Sequence, residues 1–512
     1  MNEGIGAYEY HERTKQRPTG DPIDLNLDNR PRDHKVYVDL PRTDLDGRVS
    51  PPMGPVLSVL TDVDPVPDAP GTHTSIDETT FRTLCYYAAG AIQETAYHGN
   101  WKLFRAASCT GALYHVDLYP VVGEGGPVPA GVYHFDPVTL SLDVLREGDY
   151  RGVLADASRD SRVREAPVTF VAASEWWRNA WKYTERTYRH AFWDSGTILA
   201  NLLTTAAGLD LPARVTTSFA DEQVAALLGL DTADEGPLAL VPVGAGDPAP
   251  DAPTVDPIDP ETEPLSPNPK EYPLIHEAYV GSSLPDGETA AEWRETDTAG
   301  GVGRRDSGDD PRVELDPVGH GGVSKAPLHA AVRRRRSHRE FAHDPINFRK
   351  FSTVLDRAVR AQPIDVLEGT PGDEARLVLN DCYLIVNAVE GLEPGAYRYH
   401  PGAGDLERLR SGEFRRDAEL LAHDQEWGGD AAVSVYFLTD VEEVVDRLGS
   451  RGYRAAQLEA AMVMGRLYLA TYAHRDLAGT GLTFFDDEVT DFFSPAAANQ
   501  TPTCLYVFGR PA

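Results

Sequence analysis

The chain is 512 residues long, which at about 150 residues per domain implies more than one hydrophobic core. Its 80 acidic and 48 basic residues give a formal charge of −32, and 41% of the residues are hydrophobic. The charge disfavours a nucleic-acid partner, and the composition excludes wholesale disorder. No uncharged apolar run reaches the roughly 18 residues of a membrane span. The N-terminal MNEGIGAYEYHERTK lacks the basic-then-apolar order of a secretion signal. A cytoplasmic protein without a membrane partner is expected. Only seven of the basic residues are lysine. Acid excess with scarce lysine suits a salt-loving host, because the Debye length shrinks to about 3 Å at 1 M salt.

In chain order, residues 1–75 read as an arm, polar and containing Pro and Arg over its first 50 positions. Residues 76–246 form an α/β unit. The stretch ALYHVDLYPVV reads as a strand, GVYHFDPVTLSLDVLREGDYR from Gly131 as a hairpin, and VTFVAA as a further strand. A long helix containing Arg186 comes next, followed by a short acidic helix after Phe219 and a last strand ending at Gly244. Residues 247–325 read as a linker: 247–270 hold eight prolines and six acids, 296–322 are equally loose, and EYPLIHEAYV between them has the apolar content to dock on a surface. Residues 326–512 repeat the unit. The hairpin returns at Gly395, the long helix with Arg451, the acidic helix after Phe485 and the last strand up to Gly509, at offsets of 264, 265, 266 and 265. The second long helix has Leu458, Met462, Gly465 and Leu469 at helical steps. Four motifs in one order at one offset imply a tandem duplication.

Against the net acidity stands AVRRRRSHREF, which packs Arg333, Arg334, Arg335, Arg336 and Arg339 into seven positions. If residues 335–339 run extended, Arg335, Ser337 and Arg339 share one side; two guanidinium forks and a hydroxyl there suit a phosphate dianion. A free, solvated basic tract is the competing reading. Four scattered cysteines without a CxxC pair argue against a disulfide framework or a cysteine-zinc site. The histidines show neither HxH nor HExxH spacing, so no metal is expected. GxGxxG after a strand and GxxxxGK[ST] are both lacking, so neither a Rossmann site nor a P-loop is expected. Trp176, Trp177 and Trp181 suit core packing or a pocket wall equally well.

RRSHREF resembles the RxSxRxF opening of the nitroreductase superfamily. FRAASCTGALYHVDLYPVV is similar to the PSAGALYPxELYxVV segment of its SagB-type (azoline dehydrogenase) branch, and YHERTK and WKYTERTYRH also fit that branch. The resemblance implies an α+β, FMN-dependent nitroreductase-like fold, with the two copies folded on each other as an intramolecular pseudo-dimer. It also implies hydride transfer at a flavin site, with a small molecule or peptide as substrate. In the family one unit holds the FMN phosphate and the other covers the ring, which casts Arg335, Ser337, Arg339 and the terminal Arg510 as phosphate ligands. Ser108, Cys109, Thr110 and Gly111 become the covering loop, and the backbone at Phe484, with Thr483, the contact to the ring edge. A buried thiol in place of the family's Ser is the reading of Cys109. The first copy lacks RxSxR, reading PVPDAPGTHTSIDETTF instead; the second lacks the loop, reading EARLVLNDCYLIV. One complete composite site and one ruined site are expected, in a chain free to oligomerise further. Lys182 and Tyr183 match the branch's Lys-Tyr pair and become the catalytic candidates, whereas the offset of 265 leads to Arg447 and Leu448 in the second copy. A surface cap for the following helix is the competing role for that pair. The alternative to an enzyme is a flavin-free scaffold with decayed sites.

Overall fold

The computed structural model describes residues 4–18, 25–45, 47–61, 73–97, 100–298, 301–305, 308, 310–367 and 377–512. Two antiparallel sheets share one strand order. In the first, β1 (Val116–Val122) is flanked on one side by β2 (Gly131–Asp136), β3 (Ser141–Glu147) and an edge strand, Arg42–Asp44, lent by the N-terminal arm; on the other lie β4 (Val168–Glu175) and β5 (Glu235–Val243). In the second, β6 (Asp381–Val386) is flanked by β7 (Gly395–His400), β8 (Asp405–Ser411) and Arg312–Glu314, and on the other side by β9 (Val433–Thr439) and β11 (Thr501–Pro511), which also pairs with β10 (Ala478–Leu482) and Phe341–Ala342. The central strands are buried along their whole length because both faces of each sheet are covered. That is why they read as continuous apolar runs rather than alternating ones.

Seven helices matter for the site: α1 (Ala7–Arg13), α2 (Trp176–Tyr183), α3 (Thr187–Ala207), α4 (Asp221–Leu228), α5 (Pro273–Gly281), α6 (Val441–Tyr472) and α7 (Asp486–Phe493). Helices α3 and α6 cross at the centre, where side chains must be small. A Cβ on Gly196 would collide with Ala461, and one on Gly465 with Ala200. Both pairs are related by the same 265-residue step, so the crossing is reciprocal.

The same reciprocity governs charge. Arg186 and Arg189 of the first unit hold Asp486 of the second, at 2.9 and 2.6 Å. Arg451 and Arg454 of the second hold Asp221 of the first, at 2.5 and 2.6 Å. Each aspartate also accepts one backbone N–H, from Gln16 and from Leu284. The inner arginines reach a short helix in matching ways. Arg189 donates to the His11 carbonyl and the Thr14 hydroxyl beside α1, and Arg454 to the Tyr279 carbonyl and the Ser282 hydroxyl at α5. The presumed linker therefore contains the counterpart of the N-terminal arm helix. The rings complete the match: Arg186 lies over Phe484 and Arg451 over Phe219. Phe219 thus corresponds to Phe484, one position from the equivalence with Phe485 expected from the sequence. No helix among the described residues is long and apolar enough to cross a membrane.

Burial alone would raise the carboxyls of Asp486 and Asp221, but the paired guanidiniums pull both below the ordinary range. Replacing either aspartate with Asn strands two buried cations, a loss of about 3–5 kcal/mol in chemical denaturation. Because both carboxyls are depressed, their stabilisation is complete above the ordinary carboxylate pKa of about 4 and is lost as pH falls through the folded-state values. Acid unfolding of the two variants is expected to be correspondingly less pH-dependent than that of the wild type.

Candidate functional site

The loop Ala106–Tyr114 runs between a β-hairpin ending at Arg105 and β1. It doubles back tightly, with positive φ at Gly111 (+61°), Ala112 (+50°) and Tyr114 (+50°). Asp194, on α3, holds it in that shape. The carboxylate accepts from the Cys109 thiol (3.0 Å), the Thr110 amide (2.9 Å), the Thr110 hydroxyl (2.7 Å) and His115 Nε2 (2.8 Å). The second unit uses the same device: Glu459, 265 residues on, accepts from the amides of Val378 and Leu379 and from Asn380 Nδ2. Sequence reasoning missed Asp194. Its signal was an acid among apolar residues of a long helix, repeated as an acid at the same register.

Cys109, His115 and Asp194 stand close enough to resemble a metal-ligand set, yet their donors and acceptors are already engaged with one another. The thiol donates to Asp194 and accepts the Tyr114 amide. His115 Nδ1 meets the Ser174 hydroxyl at 2.8 Å. Burial and the neighbouring Asp194 push the Cys109 pKa well up, so this is a protonated structural thiol. Ser174, His115 and Asp194 have the composition of a hydrolytic triad, but Ser174 and His115 are wholly buried, which leaves a substrate no approach.

The other unit reaches this loop through Arg335. Its guanidinium donates to the carbonyls of Arg105, Ala106 and Ala107 at 2.9–3.1 Å. The arginine tract of one unit is thus fastened to the loop of the other. Arg335 is spent on carbonyls, whereas Ser337 and Arg339 are exposed beyond it. Arg339 lies over the Trp427 ring, and its charge acts on both Lys182 and Tyr183. At the C-terminal end of α2, the Tyr183 hydroxyl stands 3.0 Å from where a Cβ on Gly111 would sit, and Lys182 Nζ lies 5.1 Å from the Tyr183 ring centroid. Burial, together with Arg339 and Arg30, lowers the Lys182 pKa; burial, with Asp194 and Cys109, raises that of Tyr183.

The structure therefore brings together Ser108, Cys109, Thr110, Gly111, Lys182, Tyr183, Arg335 and Arg339. Arg510, paired with Ala342 at the end of β11, donates to the Pro345 carbonyl. The Phe484 ring is fully buried between Arg186 and Trp193, and the neighbouring Thr483 hydroxyl donates to Gln16. The three tryptophans fasten segments rather than wall a pocket: their indole N–H groups bind Thr232, Ser266 and Asn26. The segments expected to carry the lost half-sites fall at 65–72 and 374–376 in part outside the described residues. Where the second unit would carry the Lys-Tyr pair, Leu448 is buried with Val302, Val378 and Val444 in one apolar cluster.

Residues 117–245 match the nitroreductase family model. A nitroreductase-like protein of Methanocaldococcus jannaschii is 25% identical over 189 residues, 37% of this chain and 93% of its own. The crystal structure of a nitroreductase-like protein of Anabaena variabilis, 24% identical, covers 99% of this chain and 99% of its own with a TM-score of 0.77. One from Ralstonia eutropha, 21% identical, covers 44% of this chain and 98% of its own with a TM-score of 0.32. A segment of the first unit is thus similar to the nitroreductase family, and the whole chain shares the fold of the Anabaena protein.

Burial raises the thiol pKa of Cys85, Cys382 and Cys504, as it does that of Cys109. Native protein at pH 8 should resist iodoacetamide at all four cysteines and react only after denaturation. Cys109→Ser keeps one donor and one acceptor and should cost less than about 1 kcal/mol.

Proposed function

We propose that the chain is an FMN-dependent oxidoreductase of the SagB-type nitroreductase branch. It is a fused pseudo-dimer that builds one flavin site from two unlike halves and acts on a small molecule or a peptide. The observation that carries this reading is the contact of Arg335 with the Arg105–Ala107 carbonyls, which joins the arginine tract of the second unit to the loop of the first.

The residues present fit such a cofactor. Ser337 and Arg339 offer a hydroxyl and a fixed cation to a phosphate dianion. The buried Nε2 of His338, between them, has no hydrogen-bond partner among the described residues. Arg510 lies on the strand beside the tract, and Arg335 holds the covering loop. Gly111, with its positive φ, lets the Tyr183 hydroxyl close on the loop backbone, where a Cβ would stand 3.0 Å from it. The second unit has apolar packing in the corresponding place, which supports one site per chain.

When bound, the flavin supplies two-electron hydride chemistry. The rest falls to the chain. Tyr183, its pKa raised, keeps its proton at the hydroxyl oxygen at neutral pH and can donate it to a substrate atom becoming basic. Lys182, its pKa lowered by burial and by Arg339 and Arg30, places a cation over the Tyr183 ring, where developing negative charge nearby is stabilised. The loop that Asp194 holds keeps these groups fixed relative to one another.

Protein purified in molar KCl should show flavin absorbance. Arg339→Ala removes a charge-assisted contact and should weaken flavin retention about 10- to 100-fold. Arg447→Ala, at the position matching Lys182 in the second unit, should leave it unchanged. Tyr183→Phe should keep the flavin and lose turnover. A colourless, folded protein to which added FMN does not bind would overturn the reading in favour of a scaffold.

A further inference from the structure

The residues around Tyr183 differ between the units in one consistent way. A step of 265 residues turns Asn179 into Val444, Tyr183 into Leu448 and His190 into Ala455. In the second unit those three are buried apolar residues of one cluster. In the first, the same places hold a hydrogen-bonded chain. The Thr110 hydroxyl donates to Asp194 (2.7 Å) and accepts from Asn179 Nδ2 (2.8 Å). Asn179 Oδ1 accepts in turn from His190 Nδ1 (3.0 Å) and from the Thr187 hydroxyl (3.0 Å). The His190 imidazole meets the Tyr183 ring edge-on, with centroids 4.4 Å apart and planes at 76°.

The backbone follows the same division. Thr184, directly after Tyr183, holds φ +49° and ψ −137°, and the matching residue is Gly449 at φ +63° and ψ −175°. A β-branched residue at positive φ is strained, and such strain collects at functional sites. Buried polar chains are costly unless their members are bonded, and apolar packing serves the second unit in their stead. The fold therefore does not require this chain.

We propose that His190, locked by Asn179, is a positioning residue that holds the Tyr183 ring so that its hydroxyl stays against the Gly111 backbone. This deepens the reading of Tyr183 as the proton-bearing group and rests on it. Burial, with Arg186 and His115, lowers the His190 pKa, so the ring that meets Tyr183 is uncharged. Its Nδ1 is committed to Asn179. The ring also packs on Trp193, with centroids 4.7 Å apart and planes at 32°, and its buried Nε2 has no hydrogen-bond partner among the described residues.

The test uses the full chain labelled with 3-fluorotyrosine, the Tyr183 signal among the 22 tyrosines being identified by its loss in Tyr183→Phe. Wild type should give one narrow fluorine resonance for Tyr183. His190→Ala should populate a second ring position, shifting the ratio of the two positions about 2- to 10-fold, the span expected for loss of one aromatic pair. Asn179→Val, the residue the second unit carries there, keeps the test decisive if the histidine variant fails to fold, and should give the same second position. An unchanged Tyr183 resonance in the folded variants would overturn the proposal. Flavin content is measured on the same samples. A changed resonance in protein that binds no FMN would keep the positioning role and sink the oxidoreductase reading. Flavin binding with an unmoved resonance would do the reverse.

Discussion

Asp486 with Arg186 and Arg189, and Asp221 with Arg451 and Arg454, are buried ion clusters that span the two units. Docking takes these charges out of water, at several kcal/mol per ion, and only the partner charges of the other unit offset it. Only when α3 and α6 cross do the carboxylates meet the guanidiniums, and the crossing depends on the absent side chains of Gly196 and Gly465. The clamps thus fix the register of one unit on the other. Arg335 can then reach the Arg105–Ala107 carbonyls, which lie more than 220 residues away in the chain.

Two-fold reciprocity is kept where it bears on docking and dropped around the proposed site. Each crossing glycine meets an alanine at its own equivalent position, and the arginines, aspartates and clamp phenylalanines all have mates. So does the acid that shapes the loop, as Asp194 and Glu459. Lys182, Tyr183, Asn179 and His190 do not. A symmetric pair of sites would bury two polar networks; this chain keeps one and fills the other place with valine and leucine. The cationic tract in a chain of charge −32 follows the same logic, since it appears once, in the unit opposite the loop.

Much of this was legible in the sequence because the repeated contacts are made by side chains. Arg186 and Arg451 had to remain arginine, so the offset survived. What was not legible rests on backbone. Helices α1 and α5 are counterparts, yet the clamps use a carbonyl, a small hydroxyl and an N–H from each, so AYEYHERTK and LIHEAYVGSS need share little. The destination of Arg335 was hidden for the same reason: its acceptors are three carbonyls, whereas the tract alone suggested an anion. The equivalence of Phe219 with Phe484 was also hidden, because the two acidic helices align equally well one position away. Asp194 belongs to no motif, although its carboxylate points inward at the loop.

The central claim is that two unlike halves make one site and that the second place is filled. Titrating flavin-depleted protein with FMN, followed by the change in flavin fluorescence, tests it most directly. The account predicts saturation at one FMN per chain; saturation at two equivalents, or none at all, would contradict it.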